Sequence, residues 1–466
     1  MDGFMKRFVG LTSSAARYGR RALALSLMAS QLPVFVWAQG GSPIGQVEYV
    51  RGAGLAQASG QPPRVLGKGL VLNEGDRLTT AEGATAIVAF QDGTRMTVRP
   101  NSELLVDQYR YQPNASDNNM LLSLVRGGLR TLTGLLTKNA PGAARIQTAT
   151  ATVGIRGTDF DMRLCAADCA AESAKVQDSG RPNTIQASAK VVTLDGGLSA
   201  TDGNGQRRVL VKGGAVYPGD LVETDASSTA VLAFRDDSRI TLGASTRFRV
   251  DSFVFDANNA KEGRFLVSLL RGSLRALTGL VSKANQRNVL FTTPTATVGI
   301  RGTGLDLACA DNGCAIFNWL GAIEVTPDPQ VVQTQAPPQL LAAGQGLFVG
   351  PSGISPLDAT PLNLLPRPDE VPVDNKPLFD SGNSSESLPG LYVFVRDGHI
   401  EVVSAREILQ LGRGETGYVS PQGFTDRPGI IPRFIDFDHI PLPGSRNPAL
   451  SAVLDDLNLR TVNQCR

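Results

Sequence analysis

Past its N-terminal region, the chain consists largely of short runs in which apolar and polar residues alternate. A period of two places successive side chains on opposite faces of a strand, so these runs predict β-strands. Ala86–Phe90 and Arg95–Val98 are β-prone runs, and the turn between them, Gln91–Thr94, contains the Asp-Gly pair typical of a hairpin. Leu104–Tyr111 and Phe248–Phe255 follow the same period. We therefore expect an all-β chain built from short strands and hairpins.

Two long copies of one pattern are the clearest feature of the sequence. Gly75–Leu78 corresponds to Gly219–Val222, and Thr152–Thr158 is identical to Thr297–Thr303. Extended self-similarity of this kind indicates tandem structural repeats. We expect two tandem repeats of short strands, arranged as a β-sandwich or a solenoid-like array.

A shorter unit recurs four times, and it consists of a strand, a glycine, a loop, an apolar pair, a second glycine and a further short strand. Its copies are Val47–Gly75, Val191–Gly219, Ile316–Gly350 and Val393–Pro421. In the fourth copy the second glycine is expected to be Gly412. Because the second copy lies between the long repeats, we expect it to close one repeat and open the next through shared strands.

These repeats and the Pro-rich stretches between them define the expected domain organisation. We predict a first repeat at residues 44–187, a second repeat at 188–353 that shares a joint unit with the first, a linker at 354–390, a small C-terminal β unit at 391–440 and a tail at 441–466.

The N-terminus has the three parts of a secretory signal peptide, here residues 1–38. Several basic residues precede an apolar stretch, which ends in small residues before the expected cleavage between Ala38 and Gln39. A membrane anchor is the alternative, but Gln31 and Pro33 interrupt the stretch, which is shorter than the ~20 residues that span a bilayer. Arg20-Arg21 leaves a twin-arginine export route open. We expect a mature chain with no membrane span that is periplasmic or secreted.

Five cysteines fit an oxidising compartment. Cys165 and Cys169 form one close pair, Cys309 and Cys314 form another at a matching place in the second repeat, and Cys465 stands alone. We predict two short disulfides. The alternative, a zinc site with four cysteine ligands, lacks the usual two-residue gap within each pair.

Composition narrows the classes of function. The chain of 466 residues is 42% hydrophobic and has a net charge of +2, from 45 Lys and Arg against 43 Asp and Glu. This balance argues against a disordered chain and a dedicated nucleic-acid binder. The sequence contains two histidines, which excludes a site of several histidines. Because no nucleophile elbow, zinc-protease helix or phosphate loop is present, we predict no enzyme, cofactor or metal. Asp92 and Asp236 are expected at turns for conformational reasons.

The long repeat resembles the FecR family of exported β domains. The resemblance lies in Gly75-Asp76, Ala89–Thr94, Leu129-Arg130 and Thr150–Phe160, and in Ala233–Ser238 and Thr295–Thr303 of the second repeat. It implies an extracytoplasmic signalling or interaction domain, like those of membrane regulators that pass an iron-transport signal to a sigma factor. This chain departs from those regulators, because it has no cytoplasmic helical region and no retained span. In the second repeat Gly304-Leu305 replaces Asp159-Phe160.

The repeated strings have a structural and a functional interpretation. They comprise Gly154, Ile155, Arg156, Gly157 and Thr158, and Gly299, Ile300, Arg301, Gly302 and Thr303. The arginines either satisfy carbonyls or a buried acid at a tight bend, or recognise an anion or a partner. A second repeated basic set, which is either a solvated face or a polymer-binding surface, comprises Arg126, Arg130, Arg271 and Arg275.

We therefore expect an exported, non-catalytic interaction, signalling or scaffolding protein of the bacterial envelope. Its partner is an envelope protein or polymer that the sequence does not identify. The alternative is a binder of an anionic glycan or envelope polymer.

Overall fold

The structure is a computed structural model of the chain. It describes residues 43–140, 142–166, 168–176, 180–301, 304–332, 336–380, 386, 388–435 and 443–444. The predicted signal peptide with its cleavage site at Ala38 and Gln39, the motif residues Gly302 and Thr303, and Cys465 lie outside these ranges. None of the helices within the described ranges is long and apolar enough to cross a membrane.

The first repeat consists of eleven strands and two short helices in the described ranges. They are β1 (Pro43–Arg51), β2 (Gly54–Gln57), β3 (Arg64–Val65), β4 (Val71–Asn73), β5 (Arg77–Thr80), β6 (Thr85–Phe90), β7 (Arg95–Val98), β8 (Glu103–Arg110), β9 (Asn119–Leu132), α1 (Leu135–Asn139), β10 (Ala144–Gln147), β11 (Ala151–Cys165) and α2 (Cys169–Ser173).

The second repeat follows the same order of elements, with 3₁₀ turns at Ala260–Glu262 and Gln286–Asn288. Its elements are β12 (Ala189–Asp195), β13 (Leu198–Thr201), β14 (Arg207–Leu210), β15 (Ala215–Val216), β16 (Leu221–Thr224), β17 (Thr229–Phe234), β18 (Arg239–Leu242), β19 (Arg247–Val254), β20 (Arg264–Leu277), α3 (Leu280–Ala284), β21 (Val289–Thr292), β22 (Ala296–Ile300), β23 (Gly304–Ala310), β24 (Gly313–Leu320), β25 (Ala322–Pro327), β26 (Gln339–Ala342), β27 (Gln345–Gly350) and β28 (Gly353–Leu357).

The described residues that follow the second repeat form one short helix, within the segment predicted as a linker, and the four strands of the C-terminal unit. They are α4 (Lys376–Phe379), β29 (Gly390–Ser404), β30 (Ile408–Gly412), β31 (Thr416–Val419) and β32 (Thr425–Asp426). The predictions of an all-β fold, two tandem repeats and a small terminal β unit are confirmed.

Each repeat is organised as two layers that long strands connect. In the second repeat, β19 and β21 pair with the first half of β20, whereas β18 and β23 pair with its second half. Strands of both layers contribute to one core, which includes Phe234, Phe248, Phe265 and Phe291, each at most 1% exposed. Large apolar side chains of this kind stabilise a core by roughly 1.5–3 kcal/mol each.

The terminal unit completes the first repeat. Strand β29 pairs antiparallel with β11 from Ala151↔Ser404 to Cys165↔Gly390. In the second repeat, β24 and β25 take the corresponding places beside β23 and β22. The core of the first repeat accordingly includes apolar residues from β29, β30 and β31. The second repeat is therefore inserted between two strands of the first.

The sharing of strands at residues 191–219 was expected, but the strand pairs place this unit in the second repeat. Strand β12 pairs with β15 and β17. Its residues Ala189 and Val191, with Leu198 and Ala200 of β13, are buried in the core of the second repeat. Because this face is already covered, it is not available to close the first repeat. The domain boundaries given above remain predictions.

The second glycine of each short unit lies at a tight turn with positive φ. Gly69, Gly213 and Gly344 have φ near +85°, and their N–H groups donate to Val47, Val191 and Asn318. In the fourth copy this role falls to Gly414, with φ +82° and a hydrogen bond to Val395, rather than to Gly412. The prediction of Gly412 was wrong because β30 continues through that residue. Only glycine adopts this backbone conformation readily.

The segment predicted as a linker packs on the second repeat over part of its length. The Leu365 carbonyl accepts a hydrogen bond of 2.8 Å from buried Arg275, and Arg367 stacks on the Trp319 ring with its guanidinium 4.7 Å from the centroid. Asn375 donates to Asp237, which has φ +65° at the hairpin turn of this repeat. These contacts fix the path of the chain from the second repeat toward β29.

Candidate functional site

The first repeated string lies on β11, where this strand is paired on both sides. Arg145 of β10 pairs with Gly154, and Arg156 lies opposite His399 of β29. Gly157 has φ +64° and interrupts the register with β29 between Arg156 and Asp159. The string is thus a bend in a strand, as its structural interpretation proposes.

The two string arginines have different surroundings. Arg156 is 22% exposed and its guanidinium lies 3.8 Å from Glu401, whereas Arg301 is 46% exposed and pairs with Glu324. Arg301 therefore pairs at the surface with a carboxylate on the neighbouring strand, which is not a buried acid. Arg156 keeps a buried Nε atom without a hydrogen-bond partner in the described structure.

Arg156 also lines a cleft of about 580 Å³ between the first repeat with its terminal unit and the start of the second repeat. This volume lies within the ~300–1,000 Å³ of typical ligand pockets. Its charged lining comprises four arginines and two aspartates, an excess of two positive charges: Arg156, Arg207, Arg208, Arg413, Asp202 and Asp397. The cleft brings one string arginine together with residues that the sequence did not single out.

A buried histidine forms part of the cleft wall. His399 is 7% exposed, and its Nε2 lies 2.8 Å from Oε1 of Gln410. Gln410 uses its Nε2 to donate to Glu401 at 2.6 Å, so its Oε1 accepts from the His399 ring. His399 Nδ1 is therefore an acceptor, and no group in the described structure donates to it. Burial, together with nearby Lys190 and Arg156, lowers the pKa of His399 to about 3, so the ring is neutral at neutral pH.

Tyr217 organises the arginines on the opposite wall. Its hydroxyl accepts a hydrogen bond of 2.7 Å from the Arg413 backbone N–H, and the guanidiniums of Arg413 and Arg208 lie 4.6 and 5.2 Å from its ring centroid. Arg208 also pairs with buried Asp220. Among the described residues, Arg413 and Arg207 have no carboxylate within ion-pair distance. Their charges are therefore available to the cleft.

A buried ionic cluster joins the two sides next to the cleft. Lys190 of β12 donates to Glu415 at 3.0 Å and to the Gln410 carbonyl at 2.8 Å. Arg427 donates to the same carbonyl at 2.7 Å and lies 3.5 Å from Glu415. Burial lowers the pKa of Lys190 to about 8 although Glu415 opposes the shift. Burial raises the pKa of Glu415, but the two cations outweigh it and hold this pKa below its ordinary value.

The predicted disulfides are present. Cys165 at the end of β11 is bonded to Cys169 of α2, and Cys309 is bonded to Cys314 across the hairpin of β23 and β24. Each bridge is buried in a different hydrophobic cluster.

The second basic set divides into two internal and two exposed arginines. Arg275 is 9% exposed and binds Asp306 through two hydrogen bonds of 2.8 and 2.9 Å. Arg130 is 14% exposed and lies 3.4 Å from Asp159. The remaining two are exposed and pair at the surface: Arg126 with Glu103 and Arg271 with Asp311. Arg130 and Arg275 thus form internal ion pairs because their positions on the strands face inward.

The turn aspartates are buried anchors in both repeats. Asp92 accepts hydrogen bonds from the backbone and hydroxyl of Thr94 and from the Leu136 backbone, and Asp236 does the same with Ser238 and Val281. Each carboxylate therefore ties a hairpin turn to the start of a short helix, which supports the conformational interpretation.

Comparison with known proteins identifies the family. Residues 76–177 and 220–324 each match the model of the family described as FecR protein. Each of the two repeats therefore contains a FecR-like domain.

Other comparisons add little. No curated protein matches the chain. Two crystal structures of a candidate anti-sigma factor from Parabacteroides distasonis match with 17% identity and a TM-score of 0.23, over 29% of this chain and 58% of that protein. The chain thus spans less than two thirds of that protein's length, and a TM-score this low transfers neither fold nor function.

Proposed function

We propose that this chain with its two FecR-like domains is exported to the bacterial envelope, where it binds a partner protein in a signalling or scaffolding role and carries out no catalysis. The supporting observation is a repeated exposed apolar position. In all four short units the first residue of the apolar pair is exposed, at 74, 65, 68 and 52%, whereas the second is at most 6% exposed. The exposed residues are Val65, Val209, Leu340 and Ile408.

A single exposed aliphatic residue carries no information, but the same exposure at four equivalent positions does. These residues lie on the short strands β3, β14, β26 and β30. Strand β3 is the last strand in the order of its sheet, and β30 pairs in register with β29. Sheet edges of this kind accept an added strand from a partner, with exposed side chains providing specificity.

Capture from envelope extract tests the interaction. The tagged full-length protein is compared with the triple variant Val65→Thr, Leu340→Thr and Ile408→Thr, in which threonine favours a strand but reduces the apolar surface. The matched control carries Val125→Thr and Val254→Thr, at positions that are 50 and 54% exposed outside the short units. We expect the triple variant to lose a protein that wild type and control retain. Equal capture by all three would contradict the proposed surface.

Export has a separate measurement. Intact mass should show a chain that begins at Gln39 in the periplasmic or secreted fraction. A species that keeps Met1 in the membrane fraction would refute export with cleavage.

A further inference from the structure

We propose that the cleft beside Arg156 binds a saccharide that carries an acidic group, through its unpaired arginines and its two carboxylates. The inference goes beyond the proposed protein interaction and does not depend on it.

The cationic part of the argument rests on Arg207 and Arg413. Both are exposed side chains of the lining, and Arg413 is held against the Tyr217 ring. Arg207 donates from its Nε to the Ser199 hydroxyl at 3.1 Å. No acidic side chain among the described residues lies within ion-pair distance of its terminal nitrogens. A planar guanidinium binds carboxylate or phosphate oxygens through paired hydrogen bonds. The cleft therefore offers two arginines to an anion.

The second part of the argument is a pair of carboxylates in the lining. Asp397 is exposed next to His399, and Asp202 already accepts the backbone N–H groups of Asn204 and Gln206 at 2.9 Å through one oxygen. Carboxylates repel a ligand that is anionic throughout, whereas they accept hydrogen bonds from hydroxyls at a distance from its acidic group. Val209 and Ala215 add an apolar part to the lining. A ligand that fits this lining has one acidic group, several hydroxyls and an apolar surface. A sugar acid or a sugar phosphate has these features, whereas an acidic peptide carries many charges.

Isothermal titration calorimetry of the full-length mature protein tests the proposal with defined probes. Glucuronate and glucose 6-phosphate carry both an acidic group and sugar hydroxyls. Glucose lacks the acidic group, and acetate and inorganic phosphate lack the sugar hydroxyls. An oligoglutamate peptide represents an acidic protein segment. We expect saturable binding of at least one of the two acidic sugars, and the stronger of them identifies the acidic group. Glucose, acetate and phosphate should each bind at least about tenfold more weakly, because each omits one set of contacts.

Variants link the binding to the cleft. Arg413→Gln and Arg207→Gln should each weaken the acidic sugar about tenfold or more. The matched control is Arg406→Gln, because Arg406 also stacks on an aromatic ring of the terminal unit, Phe424, at 4.6 Å, and it does not line the cleft. Its affinity for the sugar should equal that of wild type.

Four outcomes overturn the proposal: no saturable binding of either acidic sugar, equal affinity for acetate or phosphate, tighter binding of oligoglutamate, or unchanged sugar affinity in Arg413→Gln. A failure here leaves protein capture intact, because the triple apolar variant leaves Val209 and every other residue of the cleft unchanged. That variant should bind the acidic sugar like wild type, whatever its effect on capture.

Discussion

Replacing Glu415 by glutamine should destabilise the junction between the two repeats strongly. Glu415 is fully buried between Lys190, which is also fully buried, and Arg427, which is 1% exposed. Glutamine keeps the size of the side chain but removes the buried negative charge that Lys190 and Arg427 share. Both cations then retain the Gln410 carbonyl, at 2.8 and 2.7 Å, as a neutral acceptor. Removing one partner of a buried ion pair costs about 3–5 kcal/mol, and we expect this loss near neutral pH.

The pH dependence gives the prediction a sign. Lys190 has a pKa of about 8 in the folded state, below its ordinary 10.5, so the unfolded chain binds more protons between these values and stability rises with pH across that window. Without Glu415 the folded pKa of Lys190 falls further, and the rise begins at lower pH. The deficit of Glu415→Gln should therefore be smaller at about pH 9 than at about pH 6, because the buried lysine can become neutral.

Urea unfolding followed by circular dichroism at the two pH values measures both effects. The matched control is Glu324→Gln, which removes a carboxylate from the surface pair with Arg301 and should cost less than about 1 kcal/mol. A combined Lys190→Met, Glu415→Leu and Arg427→Met variant should be more stable than Glu415→Gln, since it leaves no uncompensated charge. If Glu415→Gln unfolds within about 0.5 kcal/mol of wild type, or if its deficit grows with pH, the cluster does not act as described.

Two further predictions concern buried titratable groups. His399 has a folded pKa of about 3 against an ordinary 6.5, so the unfolded chain takes up a proton first as the pH falls. The free energy of unfolding of the wild type should therefore fall by about 2 kcal/mol between about pH 6.5 and 5, and urea titrations of His399→Gln should lack this loss. Parallel pH profiles of the two proteins would show that the ring is not the cause. Arg275→Gln should lower the free energy of unfolding by about 3–5 kcal/mol because it leaves buried Asp306 unpaired, whereas Arg271→Gln at the surface should change it by less than about 1 kcal/mol, and similar losses would contradict the assigned burial.

The sequence predicted the parts of this fold that depend on local pattern. The hairpin at Gln91–Thr94, the two disulfides and the turn roles of Asp92 and Asp236 all follow from residues close together in the chain. The strand that pairs with the fourth short unit could not be predicted in this way. The same pattern occurs four times, and the local differences between β11 and its counterpart in the second repeat do not indicate which of them pairs with β29.

The candidate cleft was even less accessible to sequence reasoning. Arg156 was singled out because its string repeats, but His399, Arg413 and Tyr217 lie in segments that come together only when β29 pairs with β11. One available signal was the rarity of histidine in the chain. His399 follows Gly398, which has φ +93° at an irregularity within β29. The burial of Arg275 could not be predicted from the sequence. The alternation along β20 shows which side chains face inward only once the register of the strand is known.

Insertion of the second repeat into the first makes a last prediction about folding units. A chain that ends at Leu388 lacks β29, β30 and β31, and with them eight side chains of the first core that are at most 2% exposed: Leu391, Val393, Val395, Ile400, Val402, Leu409, Leu411 and Val419. Even at ~1.5 kcal/mol each these contribute about 12 kcal/mol, which is comparable to the whole stability of a domain, ~5–15 kcal/mol. The loss also leaves the second long side of β11 without a partner strand.

We therefore expect the truncated chain to lose the cooperative transition of the first repeat and to keep that of the second, whose core contains no residue of the terminal unit among those described. Differential scanning calorimetry with a chain that ends at Ile435 as the control separates the two, because the control retains β29–β32. Addition of a peptide of residues 388–435 should restore the lost transition, as a strand supplied from another chain can fill the same edge. A first repeat that melts at an unchanged temperature after truncation would show that residues 43–176 form a complete domain, and the terminal strands would then be an attachment to the fold rather than part of its core.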